Sequence, residues 1–179
     1  LQVLRLAQEE GVKVILDSAE EGWMVADQIA AAGVPVLVNA LANLPASLEM
    51  RGARMQNAAA LHAAGVVIAI KGSDGTGRIR EMCYNAGNAV SHGLPFDAAL
   101  AAITVNPARI FGFEGQFGEL KAGAAGDVVV WSGDPLEPLS QPSAVVVDGV
   151  EQPLQSRTLM LRDRYRTGGE GAIPPAYPQ

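Results

Sequence analysis

Asp74 stands just beyond an apolar run at residues 66–70, joined to it by Lys71-Gly72-Ser73. A carboxylate at the carboxyl end of a buried strand can hold a cation and move a proton. The same Asp74, followed by Gly75, Thr76 and Gly77, can instead accept amide hydrogens where the next helix begins near Arg78. Asp17 has a similar pair of readings, following Val14-Ile15-Leu16 and preceding Ser18-Ala19-Glu20. It offers oxygen to a hard cation, or it is a turn or cap residue. Glu20 and Glu21 suit the positive end of a helix.

The two histidines, His62 and His92, both fall inside helical patterns and follow no strand. His92 before Gly93 suits a helix C-terminus, and His62 reads as a half-buried helix residue. Asn39, Asn43 and Arg51 occupy the loop after the second strand, where polar residues either make turns or contact a substrate. Cys83, the single cysteine, sits beside Met82 and Tyr84 as core packing. Gly72, Gly75 and Gly77 lack the Gly-Lys-Ser/Thr ending of a phosphate loop.

These positions are carried by a repeating pattern. A helical segment to Glu10 stops at Gly11 before a strand at 12–16; a helix at 21–32 stops at Gly33 before a strand at 35–38. A helix at 52–64 stops at Gly65 before the strand at 66–70, and a further helix covers 78–91. Strands apolar on both faces and joined by helices belong to a parallel α/β sheet. Periodicity does not separate a (β/α)8 barrel from a doubly wound sheet. After a helix with Pro95 at its first position and a short one at 107–111, the texture changes. Runs at 128–131 and 144–147, bounded by Gly and Pro, read as a small β-domain.

The 179 residues suffice for one domain, and 49% hydrophobic composition fills a core. A formal charge of -6 and the lack of basic runs argue against nucleic acid as a partner. No apolar stretch approaches the ~20 residues that cross a bilayer. Leu1, Leu4 and Ala7 already recur at helical spacing, so the chain reads as opening inside an element.

Thr104, Asn106-Pro107-Ala108-Arg109 and Gly112, then Gly118, Leu120, Gly123 and Gly126-Asp127-Val128-Val129-Val130, resemble the barrel-to-β-domain junction of the metal-dependent amidohydrolase superfamily. Ala64-Gly65-Val66 through Asp74 resembles its eighth barrel strand, and Ser132-Gly133-Asp134-Pro135-Leu136 with Val147-Asp148-Gly149 its returning β-strands. Glu20-Glu21-Gly22-Trp23, Val34-Pro35-Val36, Asn43-Leu44-Pro45 and Asn85-Ala86-Gly87-Asn88-Ala89-Val90 are similar to imidazolonepropionase-like members.

The resemblance implies barrel strands six to eight in residues 1–117 and a β-domain with a terminal helix in 118–166, while the polar, Pro-rich end, 167–179, reads as a disordered tail. It implies hydrolysis of non-peptide carbon–nitrogen bonds in a small amide-type substrate, with a divalent metal at the barrel mouth: zinc, or iron or manganese. Asp74 becomes metal ligand, general base and then general acid, and Asn43 a substrate contact. Where many relatives carry a His after strand six, this chain has Asp17, and most metal ligands are expected outside these residues. An isolated fragment of this kind is expected to be inactive and to self-associate through its open edge. The full protein is expected in the cytoplasm, with the periplasm as alternative, and as a possible homo-oligomer. The rival readings are a non-catalytic amidohydrolase-like module and a doubly wound nucleotide binder.

Overall fold

In a computed structural model, residues 1–72 and 81–166 are described. Asp74 lies outside them. The chain runs α1 (Gln2–Glu10), β1 (Leu16–Asp17), α2 (Ala26–Ala31), β2 (Val36–Val38), α3 (Asn57–Ala63) and β3 (Ile68–Ile70). It continues through α4 (Met82–Ser91), α5 (Phe96–Ile103), α6 (Val105–Ile110), β4 (Val128–Trp131), β5 (Pro142–Val147), β6 (Val150–Gln152) and α7 (Arg157–Arg166).

β1, β2 and β3 form a parallel sheet in that order, with Leu16 opposite Val36 and Val36 opposite Ile68. Val36, Val38, Ile68 and Ile70 are buried against Ile29 of α2, Leu61 of α3, Ala86 of α4 and Ala99 of α5. This is the mixed α/β arrangement that the continuous apolar runs predict. Gly33 and Gly65 make the helix-to-strand reversals at φ 63° and 88°, a backbone region that side chains disfavour.

Each strand is shorter than its apolar run. Leu16 N donates to Pro35 O, and pairing begins with Leu16 and Val36; Pro35 itself has no N–H to extend the ladder. The helix expected at 21–32 divides into a 3-10 turn at Gly22–Val25 and α2, the break falling at Val25 with φ -131° and ψ 25°; Trp23 N, near the start of the turn, donates to the side chain of Asn57. The helix expected at 52–64 begins at Asn57. Gly52 is drawn out of it: its N donates to Glu21 Oε1 and its O accepts from Trp23 Nε1. Pro95 is the residue before α5 rather than its first position.

β4, β5 and β6 form a second, antiparallel sheet. The turn Asp148-Gly149, at φ 51° and 74°, joins β5 to β6, a hairpin dipeptide whose second strand is not apparent from the sequence pattern. None of these three strands has a buried residue. Leu136 ties this part of the chain to the first core, buried where its carbonyl faces Gly87 of α4.

Candidate active site

In parallel α/β sheets of either architecture, ligands bind beyond the carboxyl ends of the strands. Here those ends carry Asp17, Asn39 and Lys71. Ser18 N donates to Leu37 O at 2.8 Å and Lys71 N to Val38 O at 2.9 Å, so all three residues leave the sheet on one edge. A groove of about 860 Å³ lined by Leu4, Val12, Val14, Pro35 and Ile110 lies at the amino ends instead. Its position, away from every candidate residue, removes it as the active site.

The Lys71 ammonium reaches across β2 to Asp17, with Nζ 2.7 Å from Oδ1. Asp17 is therefore the last residue of β1 and an ion-pair partner, not a helix cap. Its side chain is 64% exposed and that of Lys71 21%, and ion pairs this open contribute about 0.2–1 kcal/mol. The two residues after Asp17 are held in the left-handed region, Ser18 at φ 70° and Ala19 at φ 44°. Non-glycine residues there cost on the order of 1–2 kcal/mol each. The open ion pair is too weak to offset that.

Asn57 supplies more. Its side chain is fully buried; Nδ2 donates to Ala19 O and Oδ1 accepts from Trp23 N, both at 2.9 Å. Two shielded hydrogen bonds contribute about 0.5–1.5 kcal/mol each. The same loop is tied again by Glu21 Oε1, 2.6 Å from Gly52 N, and by Trp23 Nε1, 2.8 Å from Gly52 O. Arg54 stacks its guanidinium 3.5 Å over the Trp23 ring. Glu21, expected at a helix dipole, is thus a loop tether.

The next loop is held in the same manner. Asn85 of α4, fully buried, accepts from Leu41 N at 2.8 Å and donates to Glu81 O at 3.2 Å. Asn106 of α6 donates to Ile68 O at 2.9 Å, satisfying a carbonyl of β3. Asn43 lies in the loop after β2 with its side chain fully buried and neither polar atom hydrogen-bonded; Asn39 Oδ1 is likewise buried without a partner. Arg51 is exposed. In that loop a hydrogen bond from Ser47, followed by its own backbone amide, holds the Glu49 carboxyl below the usual carboxylate range.

The histidines stand away from this edge. His62 is exposed on α3, more open than its half-buried expectation. His92 follows α4 and its Nδ1 donates to Asn88 O at 2.8 Å, which makes Nδ1 the protonated nitrogen. Cys83 is partly buried, and that burial raises its thiol pKa. Among the described residues no three of His, Cys, Asp and Glu gather as a metal would need. With Asp17 engaged by Lys71, these residues do not fit a metal centre.

Sequence reasoning passed over Lys71, Asn57 and the role of Asn85. Lys71 had a usable signal, a charge directly after a wholly apolar strand, the same position that singled out Asp17.

The sequence model of the amidohydrolase family matches residues 1–155. The chain is 42% identical over 73 residues to amidohydrolase tasK of Hapsidospora irregularis, covering 41% of this chain and 7% of that protein. A solved amidohydrolase from Thermotoga maritima superposes with TM-score 0.77 at 31% identity, over 83% of this chain and 39% of that one. N-isopropylammelide isopropylaminohydrolase from Burkholderia multivorans shares the fold at 22% identity, with TM-score 0.62 over 83% of this chain and 42% of its own. The chain thus spans about two fifths of the solved structures it matches. With a family match over most of its length and an α/β sheet that superposes on an amidohydrolase, the chain belongs to the amidohydrolase family.

Proposed function

We propose that this chain contributes barrel strands six to eight, as β1, β2 and β3, and part of the active site of a hydrolase of non-peptide carbon–nitrogen bonds in small amide-type substrates. What supports the reading is that Asp74 follows β3 by four residues in sequence, within a chain 31% identical to a solved amidohydrolase. Asp74 takes the proton of an attacking water and returns it to the leaving nitrogen, a base that becomes an acid. Asn43 contacts the substrate; its buried, unpartnered carboxamide supports this, and the contact requires the loop after β2 to open. Metal dependence, with zinc ahead of iron or manganese, enters through the family. Its ligands would be Asp74 and residues of a longer protein. Likeness to imidazolonepropionase-like members rests on the motifs around Trp23 and Asn85.

A second reading, a non-catalytic amidohydrolase-like module, is favoured by one observation: Asp17, where many relatives carry a His, is occupied by Lys71. Amide and imide hydrolysis, measured with added Zn, Mn or Fe for this chain and for a longer protein containing it, separates the two. Turnover by the longer protein that Asp74→Asn abolishes supports the enzyme; no turnover under any metal supports the module. Turnover by this chain alone would refute the partial site.

A further inference from the structure

We propose that Asn57 is a positioning residue of the carboxyl-end face. By holding the left-handed turn at Ser18 and Ala19, it places Asp17 where its carboxylate engages the Lys71 ammonium. The result is a cation held, by Asp17 among its contacts, at the end of β3, three residues ahead of Asp74 in sequence. The inference takes its functional meaning from the proposed hydrolase, since it concerns the same face.

Three observations carry it. First, β1 is only two residues long and among the described residues pairs with β2 alone; the ladder reaches Ser18 through its N–H to Leu37 O and leaves Ala19 to other contacts. Second, Ser18 and Ala19 adopt φ values that such side chains disfavour, and conformations of this kind persist only where surrounding groups impose them. Third, beside the turn bonds from Ala19 N to Asp17 O and from Gly22 N to Ala19 O, Asn57 adds a constraint from a buried side chain directed away from its own helix. Ala19 O lies 38 residues away in sequence and Trp23 N lies 34 away. Asp17 is itself mostly exposed, and an open carboxylate cannot order its own backbone.

The readout is the acylation rate of each lysine under limiting acetic anhydride, resolved by mass spectrometry below the onset of melting. It is measured on this chain and on a longer protein containing it. Lys13 and Lys121 serve as internal references. Asp17→Asn is expected to raise Lys71 acylation several-fold over Lys13. Asn57→Ala should reach at least half of that increase. Asn57→Ser stays neutral and polar but is too short to span both Ala19 O and Trp23 N, and should give an intermediate rise; it carries the test if Asn57→Ala does not fold. Asn85→Ala, which loosens the other loop, should leave Lys71 at the wild-type rate. Wild-type Lys71 rates in both Asn57 variants would overturn the proposal, as would an equal rise in Asn85→Ala. So would an unchanged rate in Asp17→Asn. Acylation reads geometry rather than turnover, so an inactive longer protein would count against the proposed hydrolase and not against the role of Asn57.

Discussion

Asn85 Oδ1 accepts the amide hydrogen of Leu41 at 2.8 Å, joining α4 to the loop after β2 across 44 residues of sequence. Asn85 is fully buried, and removing its side chain leaves the Leu41 N–H without its acceptor in a part-buried site. Asn85→Ala is expected to lose about 1–3 kcal/mol of stability. Asn85→Asp, which buries a charge at neutral pH, should be at least as damaging. Urea unfolding measures both; an Asn85→Ala midpoint equal to wild type would show that the clamp does not stabilise the fold.

Gly87 lies within α4, where alanine would ordinarily be preferred by about 1 kcal/mol. A Cβ there, however, meets the backbone carbonyl of Leu136 closer than van der Waals contact allows. Overpacking against a fixed backbone costs about 1–3 kcal/mol, so the clash outweighs the propensity. Gly87→Ala should lower the melting temperature, and a rise would show that the Leu136 segment yields easily.

Burial raises the thiol pKa of Cys83 above its ordinary value. The sign comes from the neutral form being the one that burial favours. The native state keeps its proton where the unfolded state has lost it, so this contribution is present below the unfolded thiol pKa and fades as pH rises through the folded one. Alkylation of Cys83 by iodoacetamide should therefore be slower than for a free thiol at pH 8 and accelerate at more alkaline pH. A rate at pH 8 equal to that of an unfolded control would contradict the shift.

Among the described residues β1 pairs only with β2, and Leu1, Val3, Leu6, Val12 and Ile15 are exposed beside it. An open edge with apolar surface around it favours association. Size-exclusion chromatography should show this chain eluting ahead of a monomer at rising concentration, with Leu6→Lys and Val12→Lys reducing the effect. A sharp, concentration-independent monomer peak would refute this.

The parallel strands were legible because unbroken apolar runs separated by glycine-stopped helices leave few alternatives. Their lengths were not, since Pro35 and the edge at β1 limit pairing through partners that periodicity does not register. The expected helices at 21 and 52 failed locally: Val25 leaves helical dihedrals, and Gly52 O, which a helix begun there would use, accepts instead from the Trp23 side chain 29 residues away. Asp17 was visible as a residue at a strand end, yet its partner Lys71 arrives two strands later. β6 escaped because Val150-Glu151-Gln152 is short and mostly polar.

The asparagine tethers run out of step with the strand–helix units. The loop after β1 is fastened to α3 and the loop after β2 to α4, each belonging to the next unit along the chain. A strand with its own following helix is thus not a separable module, since cutting there severs a loop from its fastening. Any exchange of these loops between relatives must carry the downstream helix with it, and the smallest portable piece is a strand, its loop and the next two helices.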